Sequence, residues 1–535
     1  MTNKGMKGLV AAGAALLFAG CQDLTVPNPN APDIDRIYQD PVDVESLVAS
    51  SWRPYWNYTQ GQIDASLAVS AQGEEMTATF TNGGVLDLGS EPRLAFNNDP
   101  AYANRFVNQG PWYAWYGAIN NANNGLRYVN GIGAPAQKLV IDGVDRTARA
   151  RAFARFMQGV LHGYYSLYYD KSYVVSENRD MQDPAVVRDL QLKPYGEVRD
   201  SAVAMLADAA RLAAADTFTL PSTWINGLTL RNTDLVRLAN TYAARNLAYA
   251  PRTPTERAAV NWTEVIRLID AGIVADHAPV GEVGILSSAY KQYSQWSVNT
   301  PTGIRGCDGG TTIQMRIDYK IIGPADTTGQ YQAWLAKPLA QRTKFTLRTP
   351  DRRIEGAAAP VAGVPANGSY FRFCTTDGQF NTGRGTYHFS SYQWFRLGGN
   401  YRTGSLPIVT RAEMDLLKAE GLLRRGDAAG AAALINRTRV ANGQLPPLTA
   451  AGVPQSSSCV PRNEQGACGS LWDALYYEKG IEGAGIDPFV RWFDNRGWGL
   501  LPKGTPLHFP VPGRELAAAQ VSMYTTGGTN PGSAQ

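Results

Sequence analysis

Residues 471–516 read LWDALYYEKGIEGAGIDPFVRWFDNRGWGLLPKGTPLHFPVPGREL, and this stretch decides the fold. Glu478 and Glu482 lie four residues apart in a predicted helix, so both carboxylates project from one face and repel each other unless cations compensate them. Two arginines and an aspartate follow among aromatic residues. Because burial of an unpaired charge costs several kcal/mol, the stretch predicts a partly buried ion-pair lattice of Glu478, Glu482, Arg491, Asp494 and Arg496.

The stretch ends in an extended segment, residues 508–512, in which each of two prolines forces the residue before it towards extended geometry. The order Glu-Lys, Ile-Glu, Arg-Trp-Phe-Asp, Arg-Gly-Trp-Gly and Phe-Pro-Val-Pro-x-x-Glu resembles the C-terminal signature of SusD/RagB outer-membrane nutrient-binding lipoproteins. The sequence departs from this family signature at two places, both of which we expect to belong to the scaffold. Lys479 stands where the family usually has Arg, and residues 483–488 replace a Glu-Gly-x-Arg-like segment.

The N-terminus has the pattern of a lipoprotein leader. Lys4 and Lys7 precede an apolar run over residues 8–18, which is too short to span a bilayer as an ordinary helix. Cys21 follows Ala19 and Gly20, which predicts a signal peptide over residues 1–20 and attachment of lipid to the Cys21 sulfur. Residues 21–38, rich in Pro and Asn, are expected to form a flexible tether. An ordinary secretory cleavage with an incidental cysteine is the competing interpretation.

Four further cysteines form an even set, which fits an oxidising compartment and allows three pairings. Cys459 and Cys468 flank a short polar loop, so we expect them to pair locally, leaving Cys307 to pair with Cys374. Zinc is the alternative partner, but none of these cysteines has the C-x-x-C spacing that favours it.

Helical periodicity predicts paired helices on both sides of residues 280–405. The clearest pair meets at Gly426-Asp427, where glycine can end one helix and aspartate can cap the next. Residues 419–432 resemble the turn of a tetratricopeptide repeat. The resemblance to the SusD/RagB family implies a mainly α fold, a SusD-like tetratricopeptide-type helical-repeat scaffold. Its predicted parts are the helical residues 39–279, a loop-rich ligand-facing insertion over residues 280–405, and residues 406–535 with the hairpin and the signature.

Apolar and polar residues alternate in parts of the insertion, as in TTIQMRIDYKIIG and GTYHFSSYQWFRLGG. This pattern predicts a few short strands among long loops. Aromatic residues near Gly, Asn and Thr are free to face a ligand, because sugar rings stack on aromatic faces. The aromatic residues that we expect to contact a ligand are Trp56, Tyr58, Trp296, Tyr387 and Trp394.

The formal net charge is +4 over 535 residues, and it gives no reason to expect a nucleic-acid partner. No nucleotide-binding loop, nucleophile elbow or paired metal-binding histidines occur, so no cofactor, metal or catalytic residue is predicted. The enzymatic alternative is a surface glycoside hydrolase that uses paired carboxylates, with Glu478 and Glu482 as the pair. We expect neighbouring arginines to hold both carboxylates ionised, whereas a general acid needs a raised pKa.

The family resemblance implies a surface-exposed lipoprotein of the bacterial outer membrane, held by its lipid. It implies binding of an oligosaccharide, a polysaccharide or a peptide, and delivery of that nutrient to a SusC-like TonB-dependent barrel. A lipoprotein with a structural or assembly role and no ligand is the second alternative.

Overall fold

The computed structural model describes residues 34–60, 65–78, 83–280, 315–357, 364–374, 390–394, 396 and 405–529. Cys21, Trp296, Cys307 and Tyr387 lie outside the described residues. The predictions of lipid attachment, of the Cys307–Cys374 bridge and of two aromatic contacts therefore stay predictions.

The described chain is mainly α, as predicted. Its helices before the insertion are Ile34–Ile37, Pro41–Ala49, Trp52–Gln60, Ala65–Gln72, Val85–Gly89, Phe106–Asn130, Thr147–Tyr168, Pro184–Arg188, Tyr195–Ala214, Asn232–Tyr249, Pro254–Ala258 and Trp262–Asp270. The later helices are Tyr319–Ile322, Gln330–Leu335, Arg411–Arg424, Ala428–Ala441, Leu471–Gly483, Val490–Trp498 and Gly513–Ala518, with 3-10 turns at Gly323–Ala325 and Leu339–Gln341.

Helix Thr147–Tyr168 lies at the centre of the largest core. Every residue from Phe156 to Tyr168 is buried, because the helices Phe106–Asn130, Tyr195–Ala214 and Asn232–Tyr249 pack around it. A helix that is buried on all sides needs apolar or internally bonded residues all round, and this one supplies three tyrosines and small residues. The predicted pairing of helices in the N-terminal part is confirmed, because Phe106–Asn130 packs on Thr147–Tyr168 and Tyr195–Ala214 packs on Asn232–Tyr249.

The predicted hairpin is also confirmed. Helix Arg411–Arg424 ends before Gly426, whose φ of 85° is left-handed, as glycine tolerates best. Asp427 Oδ1 then accepts a hydrogen bond from the Gly430 N–H at 2.8 Å and caps helix Ala428–Ala441. This hairpin packs against helix Leu471–Gly483 and forms a second, smaller apolar cluster.

The described strands are short and pair as antiparallel two-stranded sheets. They are Met76–Ala78 with Met315–Ile317, Val140–Ile141 with Val144–Asp145, Lys171–Tyr173 with Leu192–Pro194, Thr219–Ile225 with Leu228–Arg231, and Phe371–Phe373 with Tyr392–Trp394. Within the predicted insertion strand TTIQMRIDYKIIG, the described strand ends at Ile317. Residues Tyr319–Ile322 form a helix there because Asp318 caps it by accepting the Lys320 N–H at 2.8 Å.

The C-terminal signature ties these parts together. Ser470 and Asp473 form a capping box at the start of helix Leu471–Gly483. The extended segment after helix Val490–Trp498 runs beside the end of the central helix, where the Phe509 N–H donates to the Tyr168 carbonyl at 2.8 Å. The signature is thus part of the core.

Candidate functional site

The predicted charge lattice is buried, and Arg353 is its central cation. Arg353 Nη1 lies 2.6 Å from Glu478 Oε2 and 3.0 Å from Glu482 Oε1. Asp351 Oδ2 lies 2.7 Å from Arg353 Nη2, and the Tyr370 hydroxyl donates to Glu482 Oε2 at 3.0 Å. The two carboxylates that would repel each other are thus held by one shared guanidinium from a distant loop.

A second buried group surrounds Asp494. Arg257 Nη2 lies 2.9 Å from Asp494 Oδ1 and 2.7 Å from Glu420 Oε2, and Lys479 Nζ lies 2.8 Å from Asp494 Oδ1. Burial raises the pKa of Glu420, but the charges of Arg257 and Lys479 outweigh burial and lower that pKa below its usual value. This group connects the hairpin, the signature and the N-terminal helices.

The prediction that Arg491 and Arg496 belong to the lattice is wrong. Neither forms an ion pair within the part of the chain that the structure describes. Arg496 donates to the carbonyls of Leu507 at 2.8 Å and Tyr249 at 2.9 Å, and its guanidinium lies over the ring of Phe493. Arg353, which is distant in sequence, pairs with Glu478 and Glu482 in place of Arg491 and Arg496.

Glu478 and Glu482 do not form a substrate cleft. Their side chains are 0% and 1% exposed, which leaves no room for a glycosidic bond between them. Burial raises the pKa of Glu478 above its usual value, and the charge of Arg353 opposes that rise without cancelling it. Lack of access to the two carboxylates therefore weighs against a glycosidase pair at this position.

Two of the residues predicted to contact a ligand, Trp56 and Trp394, are buried in the core, so these two predictions are wrong. Trp56 is 1% exposed and packs in the core beside Trp52, and Trp394 is 0% exposed. Gly485 lies so close to the Trp394 ring that an added Cβ would meet Cε2 at 2.5 Å. Neither indole has a free face on which a sugar could stack.

Tyr58, by contrast, is only half-buried and lines an open surface groove of about 580 Å³. Gly110 in helix Phe106–Asn130 makes room for it, since a Cβ at that position would lie 2.6 Å from Tyr58 Cε1. The groove is lined by Tyr58, Ala103, Arg105, Phe106, Gln109, Gly110, Tyr113 and Ala114. It therefore combines aromatic rings with polar side chains that donate and accept hydrogen bonds.

Tyr113 is the most exposed ring of this groove, at 41%. Its hydroxyl donates to Glu515 Oε2 at 3.2 Å. Burial and the Glu515 charge raise the pKa of Tyr113 to about 12, so the hydroxyl stays protonated at neutral pH. The sequence reasoning missed Phe106 and Tyr113, although their seven-residue spacing puts them on the same helix face as Gly110.

The described ranges contain neither a metal-binding cluster nor a membrane-spanning helix. No group of three or more His, Cys, Asp or Glu side chains is arranged to hold a metal ion there. None of the described helices combines the length and the apolar character needed to cross a membrane.

Solved structures of the SusD superfamily share the fold. A SusD homolog from Bacteroides thetaiotaomicron VPI-5482 aligns at a TM-score of 0.56 and 14% identity, over 90% of this chain and 97% of its own. A SusD-like protein from Bacteroides fragilis NCTC 9343 aligns at 0.56 and 15%, over 87% and 88%. A SusD-like carbohydrate binding protein from Bacteroides vulgatus ATCC 8482 aligns at 0.51 and 14%, over 86% and 83%. No family model and no curated protein matches the sequence.

The chain therefore has the SusD-like fold, as the C-terminal signature predicted. The likeness extends over 87–90% of this chain and 88–97% of the two compared chains with the higher TM-scores.

Proposed function

We propose that this protein binds a glycan nutrient at the surface of the bacterial outer membrane, without catalysing a reaction. The observation that carries the proposal is the groove beside Gly110 on a SusD-like scaffold. One structure with this fold is described as a SusD-like carbohydrate binding protein. The ligand is an oligosaccharide or polysaccharide, with a peptide as the alternative.

The chemistry of the groove suits a sugar. The faces of Tyr58, Phe106 and Tyr113 offer apolar surface to the C–H faces of a pyranose ring, and such aromatic contacts contribute about 1 kcal/mol each. Arg105 and Gln109 supply donors and an acceptor for hydroxyl groups at the same wall. The groove is open and has about 580 Å³ of space along its wall, so it can accept part of a longer glycan chain.

The delivery step is part of the proposal. A lipid on Cys21 would hold the protein at the outer membrane, and the tether over residues 21–38 would let it move as a hinged lid. Capture alone moves no nutrient inward, so the proposed partner is a SusC-like TonB-dependent barrel. Ligand would be enclosed between the lid and that barrel.

The groove is tested by affinity electrophoresis of the purified mature protein against a panel of neutral polysaccharides and peptides. Retardation by at least one glycan, weakened by Tyr113→Ala, is expected. Retardation by peptides alone would reassign the ligand, and release of reducing sugar by the pure protein would favour a surface glycoside hydrolase.

Anchoring and partnership are tested separately. Cys21→Ser is expected to release the protein from the membrane fraction into the periplasm. Purification of the native protein in mild detergent should bring along a large β-barrel, and deletion of the gene should slow growth on one complex nutrient. Purification without a barrel, together with no bound ligand, would favour a structural or assembly role.

A further inference from the structure

A cavity of about 180 Å³ lies beside helix Leu471–Gly483, away from the residues predicted to contact a ligand. Tyr331, Tyr476, Arg462 and Arg491 are among the residues of its wall. This volume is below the range usual for whole drug-sized ligands, but it exceeds what a single water molecule needs. The cavity is therefore suited to one small polar unit.

Arg491 is the unusual feature of the wall. It lies in the first turn of helix Val490–Trp498 and packs over Gly480, where an added Cβ would lie 3.2 Å from Nη1. Its Nε and Nη1 are buried and donate no hydrogen bond to any described residue. A cation in the first turn also meets the positive end of the helix dipole. Arg491 as a whole is half-buried, and no acid of the described chain forms an ion pair with its guanidinium.

The acids whose charges act on Arg491 are Asp494, Glu74 and Glu75, and each of them bonds to another group. Glu75 Oε1 accepts a hydrogen bond from the Gly485 N–H at 2.6 Å. Asp494 is held by Arg257 at 2.9 Å and Lys479 at 2.8 Å, and Glu74 by Lys320 at 3.0 Å. Burial lowers the pKa of Arg491, while Asp494 and Glu74 oppose that effect at longer range. Arginine nevertheless stays protonated at neutral pH. A buried charge without a close partner is costly, and such groups are usually paired.

A second guanidinium with an unused donor lines the same cavity. Arg462 donates through Nη1 to the Gly466 carbonyl at 3.2 Å and through Nη2 to the Ser457 carbonyl at 2.6 Å. Its Nε is buried and has no partner within the described chain. The Cys459–Cys468 disulfide closes the loop that carries Arg462 and so restricts its position.

The remaining acids of the cavity wall, Asp473 and Glu464, accept no hydrogen bond from the unused N–H groups of the two arginines. Asp473 accepts hydrogen bonds from the N–H of Ser470 at 2.7 Å and from its hydroxyl at 2.7 Å. Glu464 is exposed to solvent. Both arginines therefore have unused N–H groups and line the same half-open cavity, an arrangement that suits recognition of a carboxylate.

We propose that this cavity binds the carboxylate of a uronic acid, with Arg491 as the main donor and Arg462 as the second. The proposal rests on the proposed function, because it names the chemical class of the glycan nutrient. Tyr476, which is half-buried, supplies a ring and a hydroxyl group for the sugar that bears the carboxylate. The cavity then holds one acidic residue of a longer chain.

The test uses matched sugars and matched variants. Calorimetry on the mature protein should show that sodium glucuronate binds at least about tenfold more tightly than glucose, which has the same ring without the carboxylate. Arg491→Gln should abolish this preference, whereas Arg425→Gln, at an exposed arginine outside the cavity, should keep it. Equal binding of both sugars, or a preference that survives Arg491→Gln, would overturn the proposal.

Stability separates a binding role from a structural one. Without ligand, Arg491→Gln should melt no lower than the parent, because it removes a cation that forms no ion pair with any described residue. Glucuronate should raise the melting temperature of the parent alone. A large loss of stability in Arg491→Gln, together with no effect of glucuronate on the melting temperature of the parent, would identify a structural arginine. Should that variant fail to fold, a crystal of the parent with glucuronate decides: a carboxylate on Arg491 supports the proposal, and a ligand elsewhere refutes it.

Two further outcomes separate this inference from the proposed function. If N-acetyl-alanyl-alanine binds more tightly than glucuronate, the cavity accepts a peptide carboxylate and the uronic acid assignment fails. If neutral glycans bind while glucuronate does not, only the cavity proposal fails. If glucuronate binds but no polysaccharide does and no growth phenotype is seen, the anion site stands and the proposed function fails.

Discussion

Arg353 and Glu478 form a fully buried bidentate pair, with Nη1 to Oε2 at 2.6 Å and Nη2 to Oε1 at 2.8 Å. The two residues are 125 positions apart in the chain. Their pairing connects the loop around Arg353 to helix Leu471–Gly483, which carries the first part of the C-terminal signature. A buried pair of this kind contributes more to holding two segments in register than to net stability, because desolvation offsets much of the attraction.

Removal of one partner from this network should destabilise the protein strongly. Glu482→Ala leaves the Arg353 cation and the Tyr370 hydroxyl without an acceptor that they now share. We expect a loss of about 3–5 kcal/mol in the free energy of unfolding, measured by urea titration. Glu464→Ala, at an exposed acid, is the control and should change stability by less than about 0.5 kcal/mol.

The same variant decides between a structural and a catalytic role. A Glu482→Ala protein that melts as the parent does, but loses a hydrolytic activity that the parent has, would reverse this assignment.

Loss of a groove ring should weaken glycan binding without unfolding the protein. Tyr113 is 41% exposed, so Tyr113→Ala removes ring surface from the groove and little from the core. We expect about 1 kcal/mol of lost binding free energy for a retained glycan, with the melting temperature nearly unchanged. Val187→Ala, at an exposed residue that does not line the groove, is the matched control. Equal affinity of Tyr113→Ala and the parent would move the glycan site elsewhere.

The local disulfide was predictable, and its contribution to stability can be measured. Cys459 and Cys468 are bonded, with a sequence separation of 9. Closure of so short a loop contributes about 2.5–3 kcal/mol by the chain-entropy estimate. A Cys459→Ala, Cys468→Ala double variant should lose that amount in urea unfolding under non-reducing conditions. An unchanged unfolding midpoint would show that the unfolded chain is already restricted in this region.

Peptide mapping without reduction tests the second bridge. It should recover Cys307 linked to Cys374 as well as Cys459 linked to Cys468. Free thiols or crossed pairs would contradict the predicted connectivity.

Sequence reasoning predicted the parts of the fold that depend on local pattern. The Gly426-Asp427 turn and the helical pairs follow from capping and periodicity, and both are present. The acids of the lattice were predicted for the same reason, since an i, i+4 pair of carboxylates requires cations. The identity of those cations was missed, because Arg353 approaches only through tertiary packing.

The candidate site was less predictable. Burial decides which aromatic residue can face a ligand, and burial depends on neighbours that are distant in sequence. Trp394 is covered by Gly485, about ninety residues further along the chain, whereas Tyr113 is exposed on a helix whose other face is buried. Composition and loop context could not distinguish these two cases.

A buried histidine offers a test of pH dependence. His162 Nδ1 lies 2.8 Å from the Gln158 carbonyl, and its Nε2 accepts the Val175 N–H at 3.1 Å. Nδ1 therefore carries the proton of the neutral ring, and protonation of Nε2 would break the bond from Val175. Burial lowers the pKa of His162 to about 4, and it lowers those of His277 and His508 to about 3.

Stability should fall as the pH drops below about 6.5, where histidines titrate in the unfolded chain. Because the folded pKa of His162 is lower, the unfolded state binds more protons between pH 6.5 and 4, so this residue alone should cost about 2 kcal/mol at pH 5 relative to pH 8. The raised pKa of Glu478 acts in the opposite direction, since acid protonates that carboxyl in the folded state first. Urea unfolding across this range should show the loss. His162→Asn keeps a donor towards Gln158 but does not titrate, so it should reduce the slope by about one proton. A variant slope equal to that of the parent would show that His162 titrates normally in the folded protein.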